Sequence, residues 1–471
     1  MRRRLAKLIA PLASLKVTVV LLAMLIFLVF AGTLAQTEMD IWDVMHQYFR
    51  SALVFIPVRL FVPRDVHVPM SLPFPGGLTI GALLLVNVLA AHAVRFKVKA
   101  RGARLAGGVA LIAAGVASIV WLHNGPLPGV VIARAGGYAG VLPLMIIGSA
   151  FYVPMVVGCL LAFGRRAGIV LIHGAIILLL VGEGVTAGTA VETQMPIYEG
   201  QTTHWAQDVR EAELAIIDDT APDHDTTVAI PAARLERAAR TGERLAHPQL
   251  PFTVRVELYF PNAGLTRADA SAPLASSATG VARNMMAVRL PKVSTMDDDG
   301  RGINIPAAYV TLLGGETVLG TYLVSPDMQV EQYIPFEQRF TAAGRTFRIS
   351  LRFRRYYKPY ALRLDKFNHD LYPGTSVPKN FSSDLRLFEQ NGVDRDVVIK
   401  MNNPMRYAGE TFFQSGWIPS TSMDGRDRGT VLSVVRNPGW TIPYIACALG
   451  TIGLIVQFGL GLTRFLRKER A

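Results

Sequence analysis

Residues 14–36 read SLKVTVVLLAMLIFLVFAGTLAQ, and after Lys16 twenty residues pass without a charge. Each helical residue advances about 1.5 Å and bilayer hydrocarbon is about 30 Å thick, so a run of this length crosses a membrane once. A basic start at Arg2, Arg3, Arg4 and Lys7 followed by an apolar run is also how a cleaved signal peptide begins. This run is longer than a signal peptide's apolar core and has no small-x-small cleavage site after it, so it reads as a retained helix. Outward from it, residues 78–94, 105–122, 141–163, 167–184 and 440–462 qualify as spans or come close. The expectation is an α-helical integral membrane protein of about six transmembrane helices.

Basic residues orient it, because short cytoplasmic loops are enriched in Lys and Arg. Six crossings place the N-terminal cluster, the cluster Arg95, Lys97, Lys99, Arg101 and Arg104, the pair Arg165 and Arg166, and the tail Arg464, Arg467, Lys468 and Arg470 all on one side. An incorrect helix count would scatter them. Both termini of this multi-pass chain are then expected in the cytoplasm. The net charge of +13 is explained by these flanks and by anionic lipid, without nucleic acid.

Three segments follow: 1–188, a membrane domain of about five helices; 189–438, an extracytoplasmic domain; and 439–471, a last helix with a basic tail. In the middle segment residues 252–259 (FTVRVELY), 307–313, 346–353 and 383–388 alternate apolar and polar side chains between Asn, Gly, Pro and Asp, which predicts a large β-rich domain. Residues 218–225 and 270–279 read as loops. In the first external loop, 37–76, the stretch around Trp42, His46, Tyr48 and Phe49 is amphipathic and predicts an interfacial helix.

Hydrolytic and nucleotide-binding signatures are absent: no GxxxxGK[ST], GxSxG or HExxH occurs. The two cysteines, Cys159 and Cys447, fall inside apolar helices and form neither CxxC nor CxxCH, so the chain is not itself a c-type cytochrome. Histidine inside the membrane is what stands out. His92 precedes Arg95 by three residues and His173 follows Arg166 by seven, which puts them roughly 5 and 10 Å from the same flank. A polar side chain in a membrane helix faces a partner or a cavity, since lipid exposure is costly. For each, a hydrogen bond to another helix stands against ligation of haem iron by a neutral imidazole. The other seven histidines, His369 among them, lie in outer loops and the exported domain, where solvated or structural roles are the default. Glu183 marks a helix end rather than a proton path.

Several stretches together resemble the ResB family of the System II cytochrome c maturation machinery. They are residues 14–36 with their closing GTLAQ; 83–96, LLLVNVLAAHAVRF; 165–185, RRAGIVLIHGAIILLLVGEGV; and, most specific, LRLDKFNHDLYPGTSVPKNFSSDLRL at 362–387 followed by NNPMRYAGETFFQSGW at 402–417 and NPGW at 437–440. The resemblance implies a subunit that handles haem with a tryptophan-rich CcsA/ResC-type membrane partner, delivering it across the membrane for attachment to apocytochrome c. It carries the family's membrane histidine onto His173, as a ligand of haem iron; His92 joins it on depth alone. Haem would be bound transiently, with no catalytic residue and no enzyme in this chain by itself. A hairpin within 105–163 departs from the family's usual four helices. The rival reading is a membrane assembly scaffold that presents its β domain without binding haem. The segment around Arg406, Tyr407, Phe412, Phe413 and Gln414 reads as a buried strand and turn before it reads as a contact surface.

Overall fold

The computed structural model describes residues 10–63, 66, 68–95, 98, 100–124, 148, 150–221, 223–269, 274, 276–293, 303–329, 337–375, 378–389, 392–418 and 429–469. The chain divides into two compact units: Met1–Leu34, Val44–Ala190 and Asn437–Ala471 form one, and Ala35–Asp43 with Val191–Arg436 the other.

The first unit is helical. Its long elements are α1 (Leu15–Ala35), α2 (Gly77–Arg95), α3 (Gly102–Asn124), α4 (Val153–Phe163), α5 (Ala167–Thr189) and α6 (Ile442–Glu469). Among the described residues five helical stretches are long and apolar enough to cross a membrane, with α4 and α5 counted as one stretch, Val153–Thr189. The count of six is therefore not reproduced. Only the last eleven residues of the expected 141–163 span appear as α4, and 141–147 and 149 lie outside the described residues. A 3-10 turn, Gly164–Arg166, separates α4 from α5, and Gly164 at φ 56° occupies the left-handed region that glycine enters without a Cβ penalty.

Glycines let these helices approach. A Cβ built on Gly168 of α5 would stand 2.7 Å from the backbone nitrogen of Gln457 in α6, and one on Gly453 of α6 would stand 2.9 Å from that of Ile172. The two helices therefore run antiparallel in backbone contact. Gly115 against Met155 and Gly158 against Ile112 join α3 to α4 in the same way. In lipid, where apolar side chains gain nothing by leaving a hydrocarbon solvent, small residues and a few polar contacts supply the cohesion. Asn87 supplies one such contact: only 4% exposed, it accepts from Thr18 Oγ1 at 2.7 Å and donates to the carbonyls of Leu12 at 2.6 Å and Ser14 at 3.2 Å. That asparagine ties the middle of α2 to the start of α1. The loop between them forms a helical turn, Ile41–Val44, a π turn, Met45–Phe49, and a hairpin of β1 (Leu53–Pro57) and β2 (Ser71–Pro75). Tyr48 is 1% exposed there, so one side of the expected amphipathic stretch is packed inside the protein.

The second unit is built from β3 (Val191–Tyr198), β4 (Thr202–Asp218), β5 (Thr226–Pro231), β6 (Arg244–Leu245), β7 (Thr253–Phe260), β8 (Ala263–Arg267), β9 (Ala278–Thr279), β10 (Met285–Arg289), β11 (Ala307–Gly314), β12 (Thr317–Val324), β13 (Gln338–Ala342), β14 (Arg345–Leu371), β15 (Pro378–Glu389), β16 (Asp394–Lys400), β17 (Met405–Tyr407), β18 (Glu410–Ile418) and β19 (Gly429–Arg436). A ten-stranded sheet runs β16-β15-β14-β4-β3-β19-β18-β17, with β13 on β14 and β5 on β4; a five-stranded sheet runs β6-β7-β11-β12-β9; β8 and β10 pair. The four expected strands are present, two of them as parts of the longer β14 and β15.

Alternation along β14 explains the core. Phe347, Ile349 and Leu351 pack with Leu214 and Ile216 of β4, Val310 and Leu312 of β11, and Leu235 of a ten-residue helix, Ala232–Thr241, that the sequence reading did not anticipate. Beyond register shifts at Phe353/Arg355 and Tyr357/Leu362, the same strand enters a second core with Leu362, Leu364, Leu387, Phe412 and Leu432. Of the expected loops, 270–273 and 275 fall outside the described residues, while Ala278–Thr279 pairs with β12 in parallel.

Candidate functional site

His92 sits in the last turn of α2 and His173 in the second turn of α5. Their depth in the sequence is similar, and the fold brings them together: the ring centroids are 4.8 Å apart and the planes cross at 73°, an edge-to-face arrangement. Each ring is half-buried. Placement follows from what the opposite faces of the two helices do. On α2, Ile80, Leu84, Asn87 and Ala90 are buried, a stripe three and four residues apart. On α5, Gly168, Leu171 and Ala175 are buried, and Gly168 takes the close approach of α6. His92 and His173 fall outside those stripes, on the sides from which α2 and α5 meet each other.

His92 Nδ1 lies 2.9 Å from the Val88 carbonyl oxygen. A carbonyl can only accept, so this nitrogen carries the proton, and a neutral ring then has its lone pair on Nε2. A ring fixed by a backbone carbonyl in this way is the usual preparation of an imidazole for a metal. A metal–imidazole nitrogen bond is about 2.0 Å, so two imidazoles on opposite faces of one iron hold their centroids about 6 Å apart. At 4.8 Å the pair fits one ligating ring with the second beside it, and not a sandwich. Among the described residues no group of three or more His, Cys, Asp and Glu side chains stands where it could hold a metal ion.

The remaining candidates stay apart from this pair. Glu183 is exposed. Cys159 is buried and Cys447 exposed, both as free thiols. Around residues 402–417, Phe412 is fully buried, Tyr407 donates to Glu389 Oε2 at 2.7 Å, and Gln414 bonds Ser383 and Thr430, which makes most of the segment a structural strand and turn. Its turn carries Ala408 and Gly409 at φ 49° and 77°. Phe413, by contrast, is 41% exposed.

A second histidine site escaped the sequence reading. His369 of β14 stacks on Phe381 of β15 at 4.5 Å, its register partner, and lies 5.3 Å from the ring of Trp417, which itself stacks on Phe381 at 5.1 Å. Phe367 and His369 are two apart and so share a face of the strand; that alternation was the available signal. The pairing with Trp417 depends on sheet register and was not.

Five helical stretches long and apolar enough to cross a membrane, among the described residues, together with a β-rich domain that lies between α5 and α6 in the chain, are the architecture of a membrane protein. Residues 307–426 match the ResB-like family. Protein NrfI of Wolinella succinogenes is 34% identical over 98 residues, which cover 21% of this chain and 10% of that protein. The alignment thus spans about a tenth of the relative's length. The family match lies in the β-rich unit, covers about a quarter of the chain and includes β11 to β18.

Proposed function

We propose that the chain is a haem-handling subunit of a cytochrome c maturation complex, and that His92 and His173 form its intramembrane haem site. The convergence of these two rings is the observation that carries the reading; the ResB-like match supports the role in cytochrome c biogenesis. In this reading haem is cargo. One imidazole supplies an axial bond to its iron. His92 is the better prepared of the two, because the Val88 carbonyl holds its Nδ1 proton and so leaves the lone pair of a neutral ring on Nε2. His173 holds the edge of that ring and fixes its rotation. The partner is a tryptophan-rich CcsA/ResC-type membrane protein, which completes the cavity, and the acceptor is an apocytochrome c on the side of the β-rich domain. The membrane is the bacterial inner membrane, with both termini cytoplasmic and a sixth crossing leading into α4.

The test is to purify the chain with its partner and record absorbance spectra of wild type, His92→Ala and His173→Ala. Wild type should carry a Soret band; His92→Ala should lose it, and His173→Ala should shift and weaken it. A wild-type complex that supports cytochrome c maturation while holding no haem overturns the proposal. Reporter fusions at the two termini test the orientation.

A further inference from the structure

Where α3 begins and α4 ends, the fold forms a half-open cavity of about 630 Å³ lined by Arg101, Arg104, Arg165 and Arg166 together with Leu161 and Phe163. The four guanidinium groups come from two places in the chain. Arg101 immediately precedes α3 and Arg104 lies in its first turn, whereas Arg165 and Arg166 belong to the 3-10 turn that leads into α5. Antiparallel packing of α3 and α4 brings them to one end of the bundle, and Arg104 Nε donates to the Leu161 carbonyl at 3.2 Å.

Two features concentrate positive charge at this cavity. First, Arg101 and Arg104 stand at the N-terminus of α3, where the backbone dipoles already present positive charge, and Arg165 and Arg166 join them from the turn between the end of α4 and the start of α5. Second, no carboxylate is near in sequence: between Asp65 and Glu183 the chain contains neither Asp nor Glu. Among the described residues, no acidic side chain lines the cavity. Membrane orientation needs basic residues beside helices, but it does not require four of them around one cavity.

We propose that this cavity binds the headgroup of an anionic phospholipid, preferably one with two phosphodiesters as in cardiolipin. Phosphodiester oxygens match the planar fork of arginine bidentately, and four arginines suit a doubly charged headgroup better than a singly charged one. Leu161, Ala162 and Phe163 add an apolar side to the cavity that acyl chains can follow. Basic cavities between membrane helices are where such headgroups bind. The occupant is thus a lipid, and free phosphate is the alternative that the experiment separates. The hairpin of α3 and α4 then acts as a lipid-anchored buttress for α5, the helix that carries His173.

Full-length protein in neutral detergent is supplemented with cardiolipin, phosphatidylcholine or inorganic phosphate, and retention is read by native mass spectrometry alongside the thermal unfolding midpoint. Cardiolipin should be retained at least tenfold over phosphatidylcholine and should raise the midpoint, and millimolar phosphate should not displace it. The doubly substituted variants Arg101→Lys with Arg104→Lys and Arg165→Lys with Arg166→Lys keep the positive charge that orients the helices, and each should lower retention severalfold. Equal retention of cardiolipin and phosphatidylcholine overturns the proposal, as does displacement by phosphate or unchanged retention in both lysine variants. The haem spectrum is an independent readout, so failure here is distinguishable from failure of the histidine site.

Discussion

The helical unit meets itself through backbone and the β-rich unit through buried charge. Across α5 and α6, Gly168 and Gly453 leave no room for a methyl group, and from residue 66 to residue 182 the chain has no carboxylate at all. In the β-rich unit, Arg352 is 2% exposed and donates to Glu213 Oε1 at 3.1 Å, while Arg348 faces Asp219, Asp225 and Glu337 together. The contrast teaches what each solvent permits. Carboxylates are scarce in the helical part, since charge in lipid has no water to return to, and are recruited into the part made of sheet, where a partner strand can supply the opposite sign.

The comparison breaks most easily at the buried ion pair. Glu213→Ala leaves Arg352 buried without its partner and should destabilise the β-rich unit by about 3–5 kcal/mol. The double variant Glu213→Leu with Arg352→Met removes both charges and should recover most of that loss, since the pair's attraction offsets its own desolvation. Thermal unfolding of the full chain, with hydrogen exchange followed in β4 and β14, reads both. Equal stabilities of wild type and Glu213→Ala would mean that water reaches the pair.

In the helical unit the equivalent weak point is steric. Gly168→Val places side-chain atoms where the Gln457 backbone stands, and overpacking of this kind costs about 1–3 kcal/mol. Exchange protection should fall in α5 and α6 and stay unchanged in β4 and β14. A smaller loss is expected for Asn87→Leu, which removes the bonds to Thr18, Leu12 and Ser14. Interhelical hydrogen bonds in membranes average about 0.6 kcal/mol and reach at most about 1.7. Loss of protection at the start of α1, without loss in α6, is the signature to look for.

How much of this was legible in the sequence differs between the units for the same reason. Helices in lipid announce themselves by apolar length, so the segments around Leu15–Ala35, Gly77–Arg95, Gly102–Asn124 and Ile442–Glu469 could be placed from hydropathy alone. What hydropathy could not settle was the count near Gly164, where a glycine and two arginines turn the chain within three residues. Strands at 252–259 and 307–313 alternated clearly, whereas the helix Ala232–Thr241, rich in Arg and Ala with only Leu235 and Ala238 buried, offered little apolar signal. For the candidate site, the depth of His92 and His173 could be counted from the flanking arginines. Their ring contact could not, because the rotation of α2 against α5 is set by Asn87 on one side and Gly168 on the other. His369 was passed over because its aromatic neighbours are distant in sequence and meet only through strand register.

Acid sharpens the comparison last and with the smallest effect. The Asp218 carboxyl is held below the usual carboxylate range, first by the hydrogen bond from the Thr220 hydroxyl and then by Arg345, to which it also bonds. A depressed folded-state value stabilises the fold only while the unfolded carboxyl would also be ionised. This contribution is therefore complete above the ordinary aspartate value of about 3.9 and is lost as pH falls from there through the folded value. Thr220→Val should weaken the acid dependence more than Arg345→Met, and Asp218→Asn should remove its share entirely, read as the unfolding midpoint of the β-rich unit between pH 5 and 2. Helix α4 carries no Asp, Glu or His to protonate. Its exchange protection should stay level over the same acid range while that of β4 and β14 declines, and a parallel decline would show that the two units do not unfold separately.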